Sequence, residues 1–247
     1  MLFRSGSGGS VFVLIMCHTV ANTARTGFSG GRSAYENNNG AIPYGIIIIA
    51  AILIIANNIH IRRIADKAGF HNSTLYSYFK DSEYLISLAS VKVFEEYSHS
   101  LAELSKRNLS EYENFMEIWK LFCLNAFKFP EIYNNFFFGK HSDDLTSIFE
   151  EYYRIFPDEE QKHSASIHKM YVGKNLNLRC YDILEPLVGL PNIRLNKNNL
   201  VLANNLIIAS FKSLLEEALT FKSSNTIEKV NELTSRFMAI LCFVIEK

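Results

Sequence analysis

Residues 60–79, with the sequence HIRRIADKAGFHNSTLYSYF, constrain the fold more than any other stretch of this chain. Ile61, Ile64 and Ala68 recur at helical spacing and form one apolar stripe, with charged residues on the other faces. Gly69 stands where this helix must end, since glycine reaches positive φ without a Cβ penalty. The stretch therefore predicts a short helix, a tight turn and a second short helix.

The predicted second helix has an apolar side and a polar side. Leu75, Tyr78 and Phe79 share one side and are expected to pack on a core. Short polar side chains, which can contact phosphates or base edges, occupy the other side: Asn72, Ser73, Thr74, Ser77 and the edge of Tyr76. Two short helices in this order are typical of a helix-turn-helix, whose second helix enters the DNA major groove.

The charge of this stretch favours contact with phosphates. Residues 60–80 hold four basic residues and one acidic residue, a net charge of +3, whereas the whole chain has 25 Lys and Arg against 25 Asp and Glu. Local positive charge on a neutral chain is expected of a small phosphate-binding surface. The apolar pattern alone is equally typical of an ordinary helical hairpin in an all-α protein.

The stretch resembles a known family over about residues 60–88. The segments RRIADKAGF, STLYSYF and KDSEYL follow one another in the order and spacing of the TetR/AcrR family of bacterial transcriptional repressors. The resemblance implies an all-α fold, in which an N-terminal helix-turn-helix DNA-binding domain precedes a helical effector-binding and dimerisation domain. We expect these domains over residues 45–90 and 91–247, with the motif at 60–79, after a disordered or non-native leader over residues 1–44.

The resemblance also implies which residues contact DNA. Tyr76 would touch the DNA backbone, Lys80 would lie near a phosphate, and Arg62 would contact the backbone or a groove. The short polar residues of the second helix would face bases or phosphates. The predicted DNA-binding residues are Arg62, His71, Asn72, Ser73, Thr74, Tyr76, Ser77, Tyr78 and Lys80.

Several features depart from the family pattern. His60 stands where the family has a capping threonine, and Ser82 stands where a lysine is common. The second helix carries no Arg or Lys, so it cannot make the bidentate contact with guanine, and we expect an A·T-rich operator read through Asn72 and DNA shape. Upstream, the eleven residues Ile46–Ala56 are apolar all round, and they are too few to span a bilayer.

The chain after Glu83 is predicted to be helical, because no alternating strand pattern interrupts it. A long helix from about Glu83 to Lys106 is followed by a helix that begins at a capping box of Ser110 and Glu113. Two strongly amphipathic helices, about Asn198–Phe221 and Thr226–Glu246, end the chain.

The last two helices are expected to hold a homodimer together. In the resembled family they pair with their copies in a four-helix bundle, and two reading heads then act on two half-sites. The apolar face of that bundle is predicted to consist of Ile207, Phe211, Leu214, Leu215, Phe237, Ile240, Leu241 and Val244. The alternative is that these residues only close the core of their own chain.

The middle of the chain is rich in aromatic residues. Such stripes are typical of a helical core, but they also line ligand pockets in helical regulators. The candidate pocket residues for a small hydrophobic or aromatic effector are Trp119, Phe122, Tyr133, His141, Tyr152, His168 and Tyr171. The alternative is a domain of the same fold that docks a partner protein. An enclosed cavity would favour the effector, and a solid core would favour the protein partner.

No pattern in the sequence indicates catalysis, a metal or a cofactor. The four cysteines form no CxxC pair, and there is no HExxH, GxSxG, P-loop or GxGxxG signature. A secretory signal is not expected, since the apolar run Val11–Cys17 is short and His18 interrupts it. We therefore expect a cytoplasmic protein that is not an enzyme, has no metal or cofactor and does not bind a membrane. The resemblance to the TetR/AcrR family implies that it represses transcription from a double-stranded DNA operator until an effector releases it.

Overall fold

A computed structural model describes residues 47, 48, 50, 51, 61–156, 175–221 and 226–247. Within these residues the regular structure is helical and contains no strand, and an isolated bridge joins Ile193 to Glu246. The all-α prediction is therefore confirmed for the described part. The helices are α1 (Ile61–Ala68), α2 (Asn72–Tyr78), α3 (Ser82–Leu104), α4 (Glu111–Lys128), α5 (Pro130–Phe138), α6 (Leu145–Ile155), α7 (Leu176–Leu184), α8 (Leu200–Leu219) and α9 (Ile227–Ile245), and a 3₁₀ turn at Glu185–Leu187 follows α7.

Local signals in the sequence place several helix ends correctly. The capping box at the start of α4 is present, because the Ser110 hydroxyl accepts from the Glu113 N–H at 3.3 Å and the Glu113 carboxylate accepts from the Ser110 N–H at 2.9 Å. Thr226 caps α9 by accepting from the Lys229 N–H at 3.4 Å. Each of these bonds satisfies a backbone donor that the first turn of a helix leaves without a partner.

Some of the N-terminal segments for which the sequence makes predictions lie outside the described residues. In the apolar segment Ile46–Ala56, the structure describes Ile47, Ile48, Ala50 and Ala51, which are helical and buried. The predicted leader, residues 1–44, and His60 are not among the described residues. In the part of the chain that is described, no helix has the length and apolar character needed to cross a membrane.

The described residues divide into two compact units. The first contains the described residues up to Lys92 together with 150–156, and the second contains 93–149, 175–221 and 226–247. The division falls inside α3 and inside α6, so each of these helices supplies residues to both units.

The core of the second unit is built from aromatic rings on α3, α4, α5, α8 and α9. Phe122 lies 5.0 Å from Phe211 and 5.2 Å from Phe137, measured between ring centroids, and Trp119 lies 5.0 Å from Phe237. Tilted and edge-to-face pairs at these distances are favourable beyond the apolar area that they bury.

This core corrects the predicted dimer face. Six of its eight residues are buried inside their own chain, because α8 and α9 turn this side toward the aromatic cluster: Ile207, Phe211, Leu214, Leu215, Phe237 and Leu241. Ile240 and Val244 are half-buried. The alternative interpretation, that these residues close the core of their own chain, holds for the six buried side chains.

We predict a pH-dependent contribution from the capping box of α4. The hydrogen bonds from the Ser110 N–H and then from its hydroxyl lower the pKa of Glu113. Because this pKa is lower in the folded than in the unfolded state, the ionised carboxylate stabilises the fold at pH values above the ordinary carboxyl pKa. This contribution to stability is lost as the pH falls through the lowered pKa. The urea midpoint of Glu113→Ala should therefore lie below that of the wild type at neutral pH, and the difference should shrink in acid.

Glu111→Ala is the matched control, because Glu111 is an exposed acid in the same helical turn and does not take part in the capping box. A Glu113→Ala difference that stayed constant with pH, or that Glu111→Ala reproduced in full, would show that the box does not stabilise the ionised carboxylate.

Candidate nucleic-acid interface and effector cavity

The turn between α1 and α2 is fixed by Gly69. Its φ is +75°, in the left-handed region that favours glycine. The Gly69 N–H donates to the Asp66 carbonyl at 3.2 Å, and the Phe70 N–H donates to the Ala65 carbonyl at 3.0 Å. These two bonds form a Schellman motif, which satisfies the last carbonyls of α1 and sets the direction in which α2 leaves.

The apolar side predicted for the helix pair is buried in part, and Ala68, predicted in the same stripe as Ile64, is half-buried. Ile64 and Ala65 of α1 and Leu75 of α2 are almost completely buried, as is Phe79, which follows α2. Tyr78, predicted on the same side, is only half-buried. These contacts orient α2, so its opposite side faces away from the protein.

Most of the predicted DNA-binding residues are exposed, either on α2 or on the residues around it. Six of the nine are exposed, namely Arg62, His71, Ser73, Tyr76, Ser77 and Lys80, and Thr74 and Tyr78 are half-buried. The Asn72 side chain lies outside the described part of the structure. Tyr76 is 56% exposed, which is a large fraction for an aromatic side chain and leaves its hydroxyl accessible.

The start of α2 is organised by His71. It occupies the N-cap position with an extended backbone, and its side chain makes no capping bond. Its Nδ1 lies 3.0 Å from the Ser73 hydroxyl, so the two predicted contact residues form one polar group at the surface. The four basic side chains of this region, Arg62, Arg63, Lys67 and Lys80, are all exposed.

The position of Lys80 is set by residues that the sequence did not reveal. Its ammonium lies 4.7 Å from the ring centroid of Tyr84, and the Tyr84 hydroxyl donates to the carboxylate of Glu151 on α6. The Asp81 side chain caps α3 by accepting from the Tyr84 N–H at 2.8 Å. The segment KDSEYL contains Tyr84, but the sequence gives no signal for a partner that lies 67 residues away.

A cavity of about 60 Å³ lies within the second unit. Its walls come from α3, α4, α5 and α7, and are formed by Tyr97, Ile118, Trp119, Phe122, Phe137, Leu176, Arg179, Cys180 and Ile183. Trp119 and Phe122 are the two members of the predicted pocket that line it. The sequence does contain a pattern that could have identified the α7 residues. Leu176, Arg179 and Ile183 share one side of the helix, so an arginine stands within an otherwise apolar stripe.

Three other predicted pocket residues, Tyr133, His141 and Tyr152, are not among the described residues that line the cavity. Tyr133 is buried in the aromatic core, 5.5 Å from Phe122 between ring centroids, and His141 lies in the turn before α6. Tyr152 belongs to the first unit, because the division between the units falls inside α6. Its ring centroid lies 4.8 Å from that of Phe156. His168 and Tyr171 lie outside the described residues.

The described residues offer no metal-binding cluster. Across 61–156, 175–221 and 226–247, no group of three His, Cys, Asp or Glu side chains is placed to hold a metal ion. Burial raises the pKa values of the Cys123 and Cys180 thiols, which keeps both protonated. A protonated thiol is a poor nucleophile and a poor metal ligand.

Among known proteins, similarity to this chain is found in solved structures. No family model and no curated protein matches this chain. The similar structures include a "Clostridium perfringens putative fatty acid metabolism regulator", with 18% identity, a TM-score of 0.42 and coverage of 78% of this chain and 97% of that chain. They also include a "putative TetR-family transcriptional regulator" from Mesorhizobium loti, with 15% identity, a TM-score of 0.44 and coverage of 84% and 98%.

We predict that Gly69→Ala destabilises the first unit by about 1 kcal/mol, because a residue with a Cβ is strained in the left-handed region. An added Cβ would meet no atom of the described residues within 4 Å, so the strain expected among them comes from the backbone angle. Urea unfolding measures the change. Gly69→Asn should lose less, since asparagine tolerates this conformation. Equal stability of Gly69→Ala and the wild type would contradict the assigned turn.

Proposed function

We propose that this chain is a transcription regulator that binds DNA as a cytoplasmic homodimer and inserts α2 into the major groove. The observation that carries the proposal is the outer side of α2, where Ser73, Tyr76 and Ser77 are exposed, together with the exposed basic side chains on α1 and just after α2. An α-helix fits the width of the major groove, and short polar side chains can reach base edges from it.

The charges around α2 suit a duplex. Lys80 at one end and Arg62 on α1 are exposed and can neutralise phosphates, which supplies affinity that does not depend on sequence. The hydroxyl groups on α2 can donate to phosphates or accept from base edges. Because α2 carries no Arg or Lys, we propose that recognition relies on adenine, on thymine methyl groups and on DNA shape.

We propose that the outer sides of α8 and α9 join two copies of the chain. Leu202 and Leu206 on α8 and Phe243 on α9 are 61%, 48% and 76% exposed, and the small residues Ala209 and Ala239 are exposed on the same two helices. Apolar groups with small neighbours let helices of two chains approach closely and remove apolar surface from water. Each copy then supplies one α1–α2 pair. When one pair has bound its DNA half-site, the other is held at a high effective concentration near the second half-site.

The cavity favours a small-molecule effector over a docked protein as the signal. A concave and mostly apolar space with few polar groups is the usual form of a ligand site, and this cavity has that lining although it is partly open to the surface. Tyr97 lines this space and lies on α3, which is the helix that follows α2 in the chain. We propose that the chain is a repressor, and that an effector bound in the cavity favours a state of α3 in which the heads no longer match their half-sites.

Selection of bound fragments from a random DNA pool tests the function directly. On the selected site, we expect Tyr76→Phe and Asn72→Ala each to weaken binding by about tenfold or more, since each removes a predicted DNA contact. Lys80→Gln should weaken binding to all sequences alike and should reduce the slope of log affinity against log salt by about one.

Lys197→Gln is the charge-matched control, because Lys197 is exposed in the second unit. It should bind as the wild type does. Failure of the wild type to bind any duplex in dilute buffer would overturn the proposal, and unchanged affinity of both Tyr76→Phe and Asn72→Ala would overturn the assigned contacts.

The dimer surface has a matched pair of test positions. Leu206 on α8 and Leu178 on α7 are 48% and 49% exposed. We expect Leu206→Glu to convert the dimer to a monomer at micromolar concentration, because it places a charge in an apolar interface, and Leu178→Glu to leave the dimer intact. Sedimentation velocity measures both. A wild-type protein that sediments as a monomer at micromolar concentration would exclude this dimer.

A further inference from the structure

The Lys80 side chain is exposed, but its ammonium lies against a buried ring of the first unit. The ammonium is 4.7 Å from the ring centroid of Tyr84, and Tyr84 is only 3% exposed. A cation within about 6 Å of an aromatic face is attracted by the electron density of the ring. The contact therefore restrains a lysine stem that has four flexible carbons and would otherwise sample many rotamers.

Tyr84 is itself held by hydrogen bonds from two directions. Its N–H donates to the Asp81 carboxylate at 2.8 Å, and its hydroxyl donates to the carboxylate of Glu151 on α6. The other oxygen of that carboxylate lies 3.8 Å from Nη2 of Arg154, one turn further along α6. The ring that receives the Lys80 ammonium is therefore oriented both from the start of α3 and from α6.

The position of Lys80 in the chain places it close to α2. It lies two residues after Tyr78, the last residue of α2, and two residues before Ser82, the first residue of α3. Phe79, which precedes it, is buried, and its N–H donates to the carbonyl of Leu75 at 3.0 Å. The backbone next to Lys80 is thus anchored on α2, while the end of its side chain is anchored on α3.

We propose that Tyr84 is a positioning residue for the contact of Lys80 with a DNA phosphate, and that Glu151 is a second one because it orients the Tyr84 ring. The inference rests on the proposed function, in which Lys80 neutralises a phosphate. An ammonium has three N–H donors, so one ring does not use up its capacity to bind an anion. Because the side chain is restrained before DNA binds, less of its freedom is lost when the contact forms.

A double-mutant cycle on the selected duplex tests whether Tyr84 acts through Lys80. Tyr84→Leu alone should weaken binding by about two- to fivefold, the change that corresponds to an exposed cation–π contact. It should also bring the slope of log affinity against log salt toward that of Lys80→Gln. In the Lys80→Gln background, Tyr84→Leu should change neither the affinity nor the slope, because the ammonium is already absent.

A second cycle, with Lys67→Gln in place of Lys80→Gln, is the control. Lys67 is exposed on α1 in the same unit. Tyr84→Leu should weaken binding by the same factor with and without Lys67→Gln. A Tyr84→Leu variant that bound weakly only because its fold was loosened would lose the same factor in both cycles.

Two substitutions of Glu151 separate its hydrogen bond from its charge. Glu151→Gln and Glu151→Ala both remove the negative charge, but only glutamine keeps an oxygen that can accept from the Tyr84 hydroxyl. We expect Glu151→Ala to bind the duplex more weakly than Glu151→Gln, and we expect this difference to vanish in the Lys80→Gln background. Both variants keep the Tyr84 ring, so they test the proposal even if Tyr84→Leu does not fold.

A measurement without DNA tests the contact between Lys80 and Tyr84 itself. In isotope-labelled protein, the ring current of Tyr84 should shift the NMR signals of the Lys80 ε-methylene protons upfield relative to those of Lys67. Tyr84→Leu should remove this shift, and Glu151→Gln should retain it.

Three results would overturn the inference: an unshifted Lys80 signal, an equal loss from Tyr84→Leu with and without Lys80→Gln, or binding of Tyr84→Leu that is unchanged or tighter. Tighter binding would show that the ring holds the ammonium away from the phosphate. Each of these results in a protein that binds its selected duplex leaves the proposed function intact. A wild type that binds no duplex contradicts the proposed function, and the inference falls with it.

Discussion

Packing of aromatic rings around Phe122 is the interaction on which the second unit depends. Its ring lies within 6 Å, between centroids, of those of Tyr97, Trp119, Tyr133, Phe137 and Phe211. These rings come from four helices, so a single side chain connects α3, α4, α5 and α8. The cluster uses the buried apolar side of the C-terminal helices. The cavity lies next to it and is lined in part by Arg179 of α7.

Features that depend on a few neighbouring residues were predictable from the sequence. The glycine turn, the capping box of α4 and the burial of Leu75 and Phe79 each follow from residues within one or two turns of helix. Their physical causes are equally local: a backbone angle that only glycine adopts freely, a hydroxyl placed to accept from an N–H, and a repeat that matches the helical period.

Features that depend on distant residues could not be predicted in the same way. Helix α8 is apolar on two sides, since Leu202 and Leu206 are as hydrophobic as Ile207 and Phe211, so periodicity alone cannot decide which side is the core. Only two of the nine residues that line the cavity were predicted, for a related reason. Trp119 and Phe122 were identified as aromatic residues, whereas Arg179 belongs to a residue type that is usually exposed.

The hydrogen bond between Tyr84 and Glu151 bears on whether the first unit can be transferred to another protein as one continuous segment. The carboxylate that accepts the hydrogen bond of the Tyr84 hydroxyl belongs to Glu151, on α6. The last turns of α6 belong to the first unit, although α4 and α5 separate them from it in the sequence. A chimera that carries residues 61–92 on another protein would lack Glu151. The Tyr84 ring, which lies beside the Lys80 ammonium, would then lose the acceptor of its hydroxyl hydrogen bond. The transferable module is therefore discontinuous in the chain and includes the segment around Glu151.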